Sequence, residues 1–172
     1  VSAPVPEPLL ATDLDQLLAL NQAHVPNVGA LDLARLRSIV EQSSLALVVR
    51  HDDGSLAGSV LVLAPGADYD SPNYRWFCER YDDFRYVDRI MVDTSAHRGG
   101  VGRALYRAVF DHARAAGSPF VTAEVNLEPP NPVSLTFHAA LGFSEVGRQD
   151  TYGGQVRVSL MAAPVQDEVD GG

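Results

Sequence analysis

The stretch 93-DTSAHRGGVGRALYRAV-109 decides how this chain is read. An apolar run, "YVDRIMV" at 86–92, comes just before it, and three of the four residues 99–102 are glycine. Behind the glycines, Val101, Ala104, Leu105, Ala108 and Val109 recur at i, i+3, i+4, i+7 and i+8, the apolar stripe of an amphipathic helix. Strand, glycine turn and helix start together make an anion cradle on elementary grounds. The first N–H groups of a helix have no internal acceptor, and the helix dipole adds partial positive charge there. Absent side chains let a phosphate come close. Gly99, Gly100 and Gly102, with Val101 and Arg103, are the residues whose N–H groups would serve. A tight strand-to-helix turn with no ligand is the plainer reading of the same residues.

On the N-terminal side, Leu14, Leu17 and Leu18 fall at helical spacing after a cap at Thr12 or Asp13. Leu33, Leu36, Ile39 and Val40 repeat the pattern in "DLARLRSIVEQ". "LALVVR" (45–50) and "LAGSVLVL" (56–63), joined by "HDDGS", read as a β-hairpin. Residues 64–85 are irregular, aromatic and acidic, either one long loop or a short helix between loops. On the C-terminal side, "FVTAEVN" (120–126) is a β-branched strand. "NPVSLTFHAALGF" then reads as a short helix with Asn131 as cap, Pro132 in the first turn and Gly142 as stop. Asn131, Ser134 and His138 share one face of it, and Val133, Phe137, Ala140 and Leu141 form the other, expected to face the core. "SEVGRQ" and "QVRVSLMA" close the chain as two strands around "DTYGG". The order ααββ, βαβα, ββ predicts a mixed α/β fold with a partly parallel sheet, because the strand–helix steps demand crossover connections.

A length of 172 residues predicts one domain, drawn at 1–164 and followed by an acidic tail, 165–172, expected to be disordered. Apolar content of 46% and charged content of 20% are globular values. No run is long and apolar enough to span a bilayer, and the first residues lack the pattern of a secretory leader, so a cytoplasmic setting is expected. A single cysteine, Cys78, forms no internal disulfide, and no Cys/His spacing suits a metal. The net charge of −9 argues against nucleic acid as partner. Arg89, Arg98, Arg103, Arg107 and Arg114 nevertheless gather around the glycine stretch, which suits a small phosphorylated ligand.

Two nucleotide-binding motifs fail on named residues. A Rossmann turn would need a third glycine or alanine where Leu105 stands, and a P-loop would need Lys and Ser/Thr after its glycines. The run His97-Arg98-Gly99-Gly100-Val101-Gly102 instead resembles the Q/R-x-x-G-x-G/A motif of the GNAT superfamily of N-acetyltransferases, with His97 at the Gln/Arg position. About thirty residues on, Asn131, Ser134, Phe137, His138, Gly142 and Phe143 follow that family's N-x-x-A-x-x-F-Y-x-x-x-G-F, with Ser134 for Ala and His138 for Tyr.

The resemblance implies a GNAT-like mixed sheet, splayed at its centre and flanked by helices in a single domain. It implies acetyl-CoA as co-substrate, without a metal, and direct acetyl transfer to a primary amine of a small molecule or peptide. Coenzyme A would lie along the backbone of Ile90, Met91 and Val92, on the cradle from His97 to Arg103, and beside Asn131, Ser134 and Phe137. The base that deprotonates the amine would be Glu124, with Asp88 as the second candidate. An ion pair with Arg89 is the structural alternative for either carboxylate. His138 stands where the family often has its tyrosine acid, so it is an acid, a proton shuttle, a substrate contact, or a packed histidine. Segments 21–33 and 64–85 would shape the acceptor groove, and Tyr69, Asp70, Tyr74, Trp76, Tyr81, Asp82 and Asp83 give it a character suited to a cationic amine. By analogy with such folds a homodimer is expected. A regulatory module that binds acyl-CoA without turnover is the other function these residues allow.

Overall fold

The hairpin read from "LALVVR" and "LAGSVLVL" lies within a seven-stranded mixed sheet, in a computed structural model that describes residues 2–167. In chain order the elements are β1 (Glu7–Pro8), α1 (Leu14–Ala23), α2 (Leu33–Gln42), β2 (Leu45–Arg50), β3 (Leu56–Leu63) and α3 (Pro72–Cys78). There follow β4 (Arg85–Val92), α4 (Val101–Ala115), β5 (Phe120–Glu128), α5 (Pro132–Ala140), β6 (Ser144–Thr151) and β7 (Val156–Pro164). The strands are ordered β1-β2-β3-β4-β5-β7-β6. The first crossover, through α4, sets β5 parallel to β4. After the second, through α5, β7 inserts between β5 and β6 and pairs antiparallel with both.

Strand alternation sends side chains to two cores. Leu61, Leu63, Met91, Val158 and Leu160 pack under α1, α2 and α3, while Val60, Val62, Val87, Val121 and Met161 pack under α4. Local signals fix the helix ends. Asp32 caps α2 by accepting from the Arg35 N–H at 2.7 Å. Ser71 and Pro72 open α3, the short helix allowed for in 64–85. Asn131 caps α5, Pro132 follows, and Gly142 takes a φ of 94° after its end.

Three expectations are corrected. The buried face of α4 is Val101, Leu105, Tyr106, Val109 and Ala113, so the stripe is turned toward Tyr106 and leaves Ala104 and Ala108 half-buried. On α5, Val133 and Ala140 face solvent and not the core, while His138 is buried. Order also continues past residue 164: the Val165 N–H donates to Pro119 O (2.9 Å), and Arg114 Nε donates to Gln166 O (2.8 Å). The rest of the expected tail, 168–172, lies outside the described residues. No described helix is long and apolar enough to cross a membrane.

The feature that positions the site is in the middle of the sheet. β4 and β5 are paired only at Arg85↔Val121 and Tyr86↔Thr122. On the other side of β4, Val62 pairs with Val87 and Leu61 with Arg89, so Asp88 is an extra, bulged residue. A bulge bends its strand, and the two strands part immediately after the last paired residue, Tyr86. The sheet is therefore splayed at its centre.

Candidate active site

The splay opens into a cavity of about 580 Å³. Its walls are the α1–α2 loop (24–31), residues 69–73, β4 at 87–90, β5 at 123–126 and the inner face of α5. Glu124 and Asp88, the two carboxylates singled out from sequence, both face it, but in different states. Asp88 is fully engaged: Arg89 Nε donates to Oδ2 at 2.8 Å and the Tyr69 hydroxyl donates to Oδ1 at 2.5 Å. Arg89 is held in turn by Asn21 Oδ1 (2.6 Å) and Gly29 O (3.2 Å). Asp88 thus sits in the ion pair that was its structural alternative.

Glu124 has no cationic partner among the described residues; the Tyr86 hydroxyl donates to its Oε2 at 2.7 Å. It keeps some access to the cavity, yet its surroundings are otherwise protein. Burial pushes its pKa up to about 8; the Tyr86 hydrogen bond opposes the shift and the nearby Asp88 charge adds to it. A carboxyl that titrates near the working pH is suited to exchanging a proton with an amine.

His138 lines the cavity along with Asn131 and Ser134, as the shared helix face required, but it is 3% exposed. Its Nδ1 lies 2.8 Å from Ser134 O, which can only accept, so Nδ1 carries the proton. Nε2 must then accept, and the Tyr106 hydroxyl donates to it at 2.5 Å. Burial lowers the imidazole pKa below its ordinary value, which favours this neutral form. His138 therefore has no proton to deliver toward the cavity in this state. The Tyr106 hydroxyl also lines the cavity, and in this state its one proton is held on His138 Nε2.

The glycine turn has the geometry of a cradle. Gly100 adopts φ +80° as the cap of α4, and the first helical bond runs from the Ala104 N–H to Gly100 O at 2.9 Å. The N–H groups of Val101, Gly102 and Arg103 precede it and have no protein acceptor among the described residues. A Cβ on Gly102 would stand 3.1 Å from the Phe137 ring, so the ring closes one side of the turn. Arg98, Arg103 and Arg107 are exposed there. Arg89 and Arg114 do not belong to that patch: one is buried with Asp88, the other pairs with Asp111 at the far end of α4.

Register also sorts the β4 backbone. The Asp93 N–H bonds Ala57 O on the β3 side, so alternation turns the polar groups of Val92 and Ile90 to the open side and those of Met91 toward β3. Met91 is 1% exposed and belongs to the core. The Val92 carbonyl already accepts from His24 Nε2 (2.9 Å), with His97 Nε2 at 3.1 Å.

Of the aromatic and acidic loop, Tyr69 and Asp70 reach the cavity. Tyr74, Trp76 and Tyr81 pack instead: the Tyr74 hydroxyl donates to Ala64 O at 2.7 Å, Trp76 lies against Gly147 under Arg80, and Tyr81 meets Phe120. Asp83 pairs with Arg85.

Two polar partners were missed from sequence. Tyr86 shares the parity of Asp88 on the same strand, which was a usable signal. Tyr106 lies one residue off the stripe drawn for α4, and nothing local marked it. Among the described residues no group of three His, Cys, Asp or Glu side chains is placed to hold a metal.

A family model described as "Acetyltransferase (GNAT) family" matches residues 15–143. Comparison with curated proteins by sequence gives no match. Among solved structures, the ribosomal-protein-S18-alanine N-acetyltransferase of Escherichia coli is 19% identical, with 98% of this chain and 97% of that one covered at a TM-score of 0.72. Naa20 of Chaetomium thermophilum, solved with a bisubstrate analogue, is 22% identical over 94% of this chain and 86% of its own, at 0.75. Ard1 of Thermoplasma volcanium is 17% identical over 96% and 100%, at 0.78. At these identities the likeness speaks for the fold. Taken with a family model that spans more than half of its length, the chain belongs to the GNAT acetyltransferase family.

Proposed function

We propose that this protein transfers an acetyl group from acetyl-CoA directly to a primary amine. The observation that carries the reading is one continuous arrangement: splayed strands, a glycine turn with unpaired N–H groups, and a cavity whose one carboxyl without a cationic partner among the described residues is Glu124. Acetyl-CoA, when bound, supplies the thioester carbonyl that the amine attacks. The N–H groups of Val101, Gly102 and Arg103 would hold its pyrophosphate, and the open-side backbone of Ile90 would meet its amide-bearing arm. Asn131 and Ser134 line the far side.

An ammonium ion has no lone pair, so Glu124 accepts its proton, and Tyr86 holds the Oε2 of that carboxylate in place. The leaving sulfur would take its proton from the Tyr106 hydroxyl, which must first turn away from His138 Nε2; His138 orients that phenol until then and is a positioning residue. Asp88 keeps Arg89 and Tyr69 fixed. A peptide amine is among the acceptors supported, because one of the structural relatives is named for N-acetylation of a ribosomal-protein alanine.

The test has two stages. Acetyl-CoA at about a hundred times its Kd should stabilise the protein by roughly 2.7 kcal/mol, a rise of several degrees in Tm, while NAD and ATP leave it unchanged. Release of free thiol should then depend on added amine. No thermal shift with acetyl-CoA overturns the reading; a shift without thiol release from any amine assigns a binding module in its place.

A further inference from the structure

The mouth of the cavity holds a cation site that the chain fills by itself. Arg35, in the first turn of α2, places its guanidinium over the ring of Tyr69, 5.1 Å from the centroid. The same guanidinium pairs with the Asp70 carboxylate. Tyr69 is 8% exposed and its hydroxyl is fixed inward on Asp88, so the ring face under Arg35 is held rigidly. An aromatic face beside a carboxylate is what binds an ammonium group. Deeper in, the Asp88 carboxylate is likewise filled, by Arg89. Of the three acids that line the cavity, two therefore already have a cation of the protein's own, and Glu124 has none among the described residues.

We infer that Arg35 sets acceptor specificity: it occupies in cis the subsite that a second positive charge on the acceptor would take, so the enzyme selects amines with one ammonium group and a neutral body over diamines and polyamines. Glu124 receives the reacting nitrogen, and the next cation-binding position along the cavity is closed by Arg35. The inference rests on the acetyl-transfer reading above and deepens it.

Affinity of bisubstrate conjugates tests it without requiring turnover. Coenzyme A is joined through sulfur, by a –CH2–CO–NH– link, to an alkyl chain of four to eight carbons ending in either methyl or ammonium. Calorimetry compares the two series on the wild-type protein, Arg35→Met, Arg35→Lys and the double variant Arg35→Met/Asp70→Asn. Arg35 contributes its backbone N–H, not its side chain, to the α2 cap, so these variants keep the helix start.

The wild-type protein should bind the methyl-ended conjugates at least as well as the ammonium-ended ones. Arg35→Met should shift that ratio toward ammonium by roughly three- to thirtyfold, the scale of one cation–π contact plus one exposed ion pair. Arg35→Lys should leave the ratio as in the wild type, and the added Asp70→Asn should cancel much of the gain. Tight binding of both series with an unchanged ratio in Arg35→Met overturns the specificity inference alone. Failure of every conjugate to bind the wild-type protein overturns the coenzyme A reading and this inference with it.

Discussion

Replacing Glu124 by glutamine removes one proton equilibrium while keeping the side chain's shape and its acceptor for the Tyr86 hydroxyl. The consequence for stability follows from burial. The carboxyl titrates at about 8 in the folded protein against an ordinary 4.5. Between those values the unfolded chain has lost the proton and the native protein still holds it. Stability from this group is thus fully present below the unfolded value and is lost as pH rises through the folded one. Each pH unit of that interval costs about 1.4 kcal/mol, so a full traverse reaches on the order of 4–5 kcal/mol. Water that reaches the carboxyl through the cavity lowers this, and about 2–4 kcal/mol is expected. Glutamine has no such slope. Urea unfolding of both proteins between about pH 5 and 9 should show Glu124→Gln gaining on the wild type as pH rises, with the difference levelling off above about 8. The same titration should appear in kcat/KM as a limb that rises toward alkaline pH in the wild type and is missing in the variant. Parallel stability curves would refute the buried acid, and a surviving limb would remove Glu124 as the base.

Tyr106→Phe should lower kcat by about 100-fold or more. His138→Gln, which keeps an acceptor, should lower it less, and equal losses would return the acid role to the histidine. Asp88→Asn leaves the Arg89 guanidinium, 7% exposed, without its counter-charge, and should cost about 3–5 kcal/mol in denaturant unfolding; a loss below about 1 kcal/mol would mean that the Asn21 and Gly29 contacts suffice. Gly147→Ala sets a Cβ 2.5 Å from Trp76 Cζ2, on a ring covered by Arg80 at 4.1 Å, so a loss of about 1–3 kcal/mol is expected in urea with acetyl-CoA affinity unchanged. An affinity loss as large as the stability loss would tie the distant β6 edge to the site.

What could be read from sequence was what short-range chemistry writes. The glycine turn and the caps Asn131 and Ser71 need no distant partner, and neither does the 45–63 hairpin. The family's splay was expected through its resemblance, but its cause here, the bulge at Asp88, shows only when the register of β4 against β3 is known. The partners of the two carboxylates were equally out of reach. Asp88 and Glu124 look alike in sequence, and what separates them is that the Arg89 guanidinium and Tyr69 engage one, while the other is bonded by the neutral Tyr86 hydroxyl. His138 likewise keeps its place on the helix face, and its partner at Nε2, Tyr106, lies 32 positions away where no local pattern could point to it.

The splay also raises a question of backbone economy, and its answer links stability to substrate binding. Beyond Tyr86 and Thr122 the facing edges of β4 and β5 give up their mutual ladder, and buried polar groups need partners. The α1–α2 loop supplies several of the bonds across the gap. His24 donates to Val92 O on β4, Arg89 and Asn21 donate to Gly29 O, and Asn126 on β5 donates to Pro26 O at 3.1 Å. The loop is thus the bridge between two strands that no longer pair, and at the same time a wall of the cavity. A change in it cannot alter the cavity wall alone: removing a bridging contact leaves a strand edge unsatisfied and loosens the gap between the strands. Acceptor preference in this chain should therefore be easier to alter at side chains that point into the cavity without holding the strands, and Arg35 is such a residue.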